Sequence, residues 1–126
     1  MADILIIEDM AGVRHAISSM LKRAGHTVAV TENGAEGLAE LRKRRFDLIV
    51  TDMLMPSVGG IELLEDIQSS HPALPVIIVT AFGDWDSYSR ALALGAAAFI
   101  SKPLRMSELT AAVHAALARR GATASP

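Results

Sequence analysis

Five short apolar runs recur along this chain, and each is followed by a segment whose apolar residues return every three or four positions. ILII (residues 4–7), HTVAV (26–30), FDLIVTD (46–52), VIIVT (76–80) and AAFIS (97–101) are the short runs. Their β-branched residues and unbroken apolar character are those of strands covered on both faces. Between them, residues 11–24 put Val13, Ala16, Ile17, Met20 and Leu21 on one helical face, and Gly25 follows as a C-cap. Asn33 caps a second helix that carries Leu38 and Leu41 and closes on RKRR (42–45). A third helix spans 59–70, a fourth opens at Asp84 and ends near Gly95, and a fifth covers 106–120.

Strict strand–helix alternation predicts an α/β fold: a five-stranded parallel sheet with helices on both faces. Five strands are too few for an eight-fold barrel. With right-handed crossovers, the expected solution is the flavodoxin-like strand order 2-1-3-4-5. A chain of 126 residues fits one domain, here expected over residues 1–120, with GATASP (121–126) as a patternless, disordered tail.

Composition narrows the function classes. There is no cysteine, which excludes disulfides and thiolate metal sites and suits a reducing cytoplasm. A net charge of -2 gives no global field for nucleic acid. MADILIIEDM lacks the basic start of a signal peptide, and the longest run free of polar residues, at 91–100, is far short of the roughly 20 residues that span a bilayer. A soluble, single-domain cytoplasmic protein is expected, with no direct nucleic-acid or membrane partner.

The polar residues then concentrate at one place. In an open parallel sheet, ligands bind beyond the carboxyl ends of the strands. There the first strand carries Glu8 and Asp9, the third Asp52, the fourth Thr80 and Ala81, and the fifth Ser101, Lys102 and Pro103. The first and third strands are neighbours at the switch point of the 2-1-3-4-5 order. Three crowded carboxylates raise one another's pKa values unless a cation neutralises them. Hard oxygen donors without histidine or cysteine select Mg²⁺ or Ca²⁺, and partial hydration favours Mg²⁺. With Lys102 as a second positive charge and the Thr80 hydroxyl nearby, a phosphoryl group could be held against Asp52. Asp52 would then be the nucleophile and an acyl phosphate the product.

EDM (8–10), DMLMP (52–56), TA (80–81) and KP (102–103) together resemble the receiver domain of two-component response regulators. The resemblance covers residues 3 to about 119. It implies that Asp52 accepts phosphate from a histidine kinase or phosphotransfer protein. Asp9, Asp52 and the Leu54 backbone carbonyl would ligate Mg²⁺, with Glu8 acting through a water. Lys102 would pair with the phosphoryl group and Thr80 would shift to meet it, while Pro56, Ala81 and Pro103 shape the surrounding loops. The Lys102–Pro103 bond is expected to be cis. Phe99 takes the aromatic switch position, and the fourth helix, fifth strand and fifth helix form the face that addresses an output domain or effector, or a second copy in a homodimer. Such a domain catalyses its own phosphorylation and dephosphorylation without being a metabolic enzyme.

Some residues depart from the family's habit. Glu8 stands where Asp is frequent, Phe99 where Tyr is common, and the glycines at 59–60 lack a preceding acidic or amide residue. Leu54 and Phe82, two places past Asp52 and Thr80, are apolar, so slow self-dephosphorylation is expected. Leu54 also argues against an aspartyl-phosphate phosphohydrolase, which needs a second carboxylate at that place. A degenerate receiver acting only as a scaffold is countered by the intact acidic set and Lys102. RKRR reads as a solvated helix C-terminus, and His15, His26, His71 and His114 as structural or surface residues. Trp85 and Tyr88 share one face of the fourth helix, where they would either pack inward or anchor a partner.

Overall fold

The computed structural model describes residues 2–52, 60–81 and 85–124, except for the side chains of Trp85, Ser87 and residues 120–124. Leu54, Pro56 and Phe82 therefore lie outside the described residues, as does the indole of Trp85. Strands β1 (Asp3–Ile7), β2 (Thr27–Thr31), β3 (Leu48–Asp52), β4 (Val76–Thr80) and β5 (Ala98–Ser101) alternate with helices α1 (Ala11–Arg23), α2 (Gly34–Lys43), α3 (Gly60–Ser70), α4 (Trp85–Ala93) and α5 (Met106–Ala124). All neighbouring strands pair in parallel, in the order β2-β1-β3-β4-β5. This is the expected flavodoxin-like topology.

Local chemistry sets the element ends. Asn33 caps α2, its side-chain oxygen accepting the Glu36 N–H at 2.9 Å. Gly25 and Gly95 follow α1 and α4 at φ +95° and +89°, a left-handed conformation that only glycine adopts without a Cβ penalty. Phe46 and Asp47 precede β3 rather than belonging to it. Asp47 turns its carboxylate to the Asp3 N–H at 2.8 Å and so joins the start of β1 rather than extending the ladder. Helix α5 runs on to Ala124, past the expected end at residue 120, because Ala122 and Ala124 favour helix and the glycine at 121 costs only about 1 kcal/mol.

The period of two along each strand divides the interior into two cores. Ile4 and Ile6 of β1, Leu48 and Val50 of β3, and Ile77 and Val79 of β4 pack against Ile17 and Leu21 of α1 and Leu109 and Val113 of α5. Leu5, Ile7, Ile49, Val76 and Ile78 meet Leu41 of α2, Leu63, Leu64 and Ile67 of α3, and Ala91 of α4. Each fully buried aliphatic side chain is worth about 1.5–3 kcal/mol of hydrophobic free energy, so the sheet is held from both sides. No helix among the described residues is long and apolar enough to cross a membrane.

Helix α2 approaches the sheet closely at Gly37. A Cβ there would overlap the Cδ1 of Ile7, which is itself fully buried and has little room to retreat. Gly37→Ala should therefore destabilise the protein by about 1–3 kcal/mol despite the better helix propensity of alanine. A lower urea midpoint with an unchanged m-value would show it; an equal or higher midpoint would mean that Ile7 yields freely.

Candidate functional site

The strand register brings the sequence-distant acids together. Ile7 of β1 pairs with Thr51 of β3, so the next residues, Glu8 and Asp52, leave the sheet side by side. Both continue the alternation of the core shared with α1 and α5. Glu8 is 1% exposed and Asp52 5%, whereas Asp9 is open to solvent. One carboxylate oxygen from each of the three lies within 4.8 Å of the others.

Lys102, at the exit of β5, reaches into this cluster. Its Nζ donates to Asp52 Oδ2 at 2.8 Å and lies 3.0 Å from Glu8 Oε1. The second contact is an ion pair only: Glu8 Oε1 is buried and accepts no well-directed hydrogen bond. Glu8 Oε2 accepts the Met10 N–H at 3.1 Å. Burial pushes the Glu8 carboxyl up to about 7; the Lys102 ammonium and the Met10 N–H oppose this, and the nearby Asp52 adds to it. For Lys102, burial alone would lower the pKa, but the hydrogen bond to Asp52 and the ion pair with Glu8 outweigh it and raise the pKa. The ammonium is thus fixed as a cation by the acids it neutralises.

The surrounding backbone is tied down. Lys102 N–H donates to the Thr80 carbonyl at 2.8 Å, which anchors the β5 exit to the end of β4. The Lys102–Pro103 bond is cis, as the resemblance implied. Thr80 is fully buried and sits one place beyond Val79, the register partner of Asp52. Ala81 is exposed at the rim. Phe99 is half-buried and meets Tyr88 edge to face, with 5.4 Å between ring centroids and planes at 88°. Tyr88 is exposed on α4, as a partner anchor would have to be.

Two residues escaped the sequence analysis. Arg14, on the second turn of α1, donates to the Glu8 carbonyl at 2.8 Å and the Asp9 carbonyl at 3.4 Å, and lies 3.6 Å from Glu32. It clamps the turn that presents both acids, and its place shortly after an acidic pair was the available signal. Met10, 55% exposed, holds its sulfur 3.9 Å from Lys102 Nζ. Nothing in the sequence marked that contact, because it joins residues far apart in the chain.

The arrangement is a buried carboxylate pair closed by a lysine, at the switch point of a flavodoxin-like sheet, with a third carboxylate at its mouth. Its donors fit a hard divalent cation: three carboxylates, and one buried oxygen left without a hydrogen bond. The model of the response regulator receiver domain matches residues 4–114. The chain is 34% identical over 124 residues to the transcriptional regulatory protein ZraR of Klebsiella oxytoca, covering 98% of this chain and 28% of that protein. It is 33% identical over 116 residues to the two-component response regulator PhoP of Pseudomonas aeruginosa, covering 92% of this chain and 52% of that one. It therefore spans a quarter to a half of the length of these curated relatives. Among solved structures, a response regulator receiver domain protein from Clostridium thermocellum superposes with a TM-score of 0.92 at 30% identity, covering 98% of this chain and 99% of the other. A CheY-like receiver domain protein from Methanospirillum hungatei gives 0.94 at 27% identity, covering 98% of each. The chain belongs to the response regulator receiver domain family, the signalling domain of two-component systems.

The raised Glu8 pKa has a consequence for stability. A carboxyl whose folded value, about 7, exceeds its ordinary 4.5 contributes stability that is full below pH 4.5 and is lost as pH rises through 7. In EDTA, the stability of Glu8→Gln relative to the parent should therefore rise between pH 5 and pH 8, read from paired urea midpoints. A pH-independent difference would place the Glu8 carboxyl in a water-like setting.

Proposed function

We propose that this domain is a phosphorylation-controlled switch in which Asp52 takes a phosphoryl group from the phosphohistidine of a kinase or phosphotransfer protein. The observation that carries this reading is the Lys102 ammonium, 2.8 Å from a nucleophile-sized carboxylate that is 5% exposed. An Asp52 oxygen attacks phosphorus in line, the N–P bond of the donor breaks, and its electron pair returns to the imidazole. Lys102 then follows the charge from the carboxylate onto the phosphoryl oxygens. Thr80 moves to hydrogen-bond the same group. The domain supplies these groups itself, so a small acyl phosphate can serve as donor.

Asp9 and Asp52 would hold Mg²⁺ directly, with Glu8 through a water and the Leu54 carbonyl, outside the described residues, completing the protein donors. When bound, the ion supplies positive charge against the phosphoryl oxygens during transfer. Glu8 and Asp9 keep the pocket anionic, so that a divalent cation is favoured there, while Arg14 keeps their backbone in place.

The readout passes through Phe99. Its edge-to-face contact with Tyr88 links β5 to α4, and Tyr88 and Leu92 are both exposed on that helix. A shift of Thr80 frees room for the Phe99 ring to turn inward, which alters the surface of α4, β5 and α5 offered to an output domain, an effector or a second copy. The setting is cytoplasmic, where kinase and donor are found.

Incubation with Mg²⁺ and acetyl phosphate, followed by intact-mass measurement, tests this directly. One phosphate should be gained, and lost in Asp52→Asn, in EDTA and under hydroxylamine. A folded protein that never labels with acetyl phosphate or with a panel of kinases would overturn the reading. The apolar Leu54 and Phe82 should keep attacking water away, so replacing both with polar residues should shorten the phosphoryl lifetime. An unchanged decay rate would remove them from the account.

A further inference from the structure

The basic run RKRR is not used by the phosphorylation site, and the fold puts it at the opposite pole, where the strands begin. There the exit of α2 and the exit of α3 face one another across a cleft of about 470 Å³. Leu41, Phe46 and Leu74, each nearly buried, form its apolar floor. Arg42, Lys43, Arg44 and Arg45 form one lip, and His71 and Pro72 stand on the other.

The four cations are not equivalent. Lys43 lies 3.5 Å from Glu40, and Arg44 lies 3.3 Å from Asp3 with its guanidinium 4.7 Å over the Phe46 ring. Arg44 is thereby held as a wall of the cleft. Arg42 and Arg45 are exposed, and no carboxylate among the described residues lies within ion-pair distance of either. Favourable interaction with the α2 dipole accounts for Arg42 and Lys43, which lie in its last turn. It does not account for Arg45, two residues beyond the helix, nor for an apolar hollow in the roughly 300–1,000 Å³ range of ligand sites beside it.

We propose that this cleft docks an acidic protein segment bearing an aliphatic or aromatic anchor. The anchor enters the hollow over Leu41, Phe46 and Leu74, and the flanking carboxylates pair with Arg42 and Arg45, whose forked donors match a carboxylate in bidentate fashion. The apolar floor beside the cations selects a peptide with an apolar anchor over a nucleotide. The ends of α2 and α3 meet here, where the Arg44 and His71 N–H groups donate back to the Glu40 and Ile67 carbonyls. A peptide brings both its own N–H groups and dispersed negative charge. Binding at this pole is structurally separate from Asp52, so the domain can hold such a partner whatever the state of the acidic site.

The probe is a short synthetic peptide in which a Leu-Trp pair is flanked by glutamates, titrated at physiological salt into the ¹⁵N-labelled protein. Saturable amide shifts confined to residues 42–46 and 71–74 are expected. Affinity should fall about tenfold or more in Arg42→Glu/Arg45→Glu, whose exposed positions leave the fold intact. Ala73→Trp, which fills the hollow from an exposed position, should weaken it as well. Equal binding of a peptide with serines in place of Leu-Trp would reduce the feature to surface charge and overturn the proposal. So would shifts at these residues from ATP or from anionic phospholipid vesicles but not from the peptide, or the absence of any saturable shift.

Discussion

The Lys102 ammonium between Glu8 and Asp52 is the interaction on which the arrangement of this domain turns. Two carboxylates have been carried to the ends of two neighbouring apolar strands and buried side by side. Leaving either without a counter-charge costs on the order of 3–5 kcal/mol. Lys102 meets both, at 2.8 and 3.0 Å, and is itself kept protonated by them. The exit of β5 must therefore stay where the ammonium reaches, and the N–H of the same residue, bonded to the Thr80 carbonyl, keeps it there. The backbone of Lys102 meets the end of β4 and its charge meets the ends of β1 and β3. In the proposed reaction a phosphoryl group on Asp52 would draw on the same ammonium, and so on the β5 exit that carries it.

The two-core architecture encloses the middle of the sheet more fully than its β5 edge. Ile4, Ile6, Val50 and Val79 on one side, and Leu5, Ile7, Ile49 and Ile78 on the other, fix the sheet between helices. Asp52 is mounted on β3, in which, as in β4, every residue is buried. By contrast β5 is a four-residue edge strand with only one fully buried side chain, and Phe99 on it is half-buried against Tyr88. The carboxylate proposed as acceptor thus sits on an enclosed strand, and the aromatic ring proposed for the readout on a more exposed one.

Much of this was legible from periodicity. The short apolar runs at 4–7 and 76–80 and the helical spacing of Ile17, Leu21, Leu64 and Ile67 assign element type and inner face, because strand and helix expose side chains at different periods. The boundaries moved where local pairing outvoted pattern. Asp47 bonds back to Asp3 instead of extending β3, and α5 continues through its small residues to Ala124. Glu8, Asp9, Asp52 and Lys102 were singled out as a set, since an open parallel sheet brings the carboxyl ends of its strands to one edge, where ligands bind. Arg14 and Met10 were not, because their roles rest on contacts with a backbone carbonyl and with a side chain 92 positions away.

By itself the sequence determined the order of elements, the face each one buries and the set of residues delivered to the carboxyl edge of the sheet. Those are local properties, written in spacing and residue type, and they require no knowledge of what lies across the fold. Only the tertiary structure decided that Glu8 is enclosed while Asp9 is open, that one lysine serves two acids, and that two helix C-termini enclose a basic cleft at the other pole. Such relations depend on strand register and on crossovers that join segments dozens of residues apart. Burial and distance, and with them pKa and ion pairing, exist only once those segments have met.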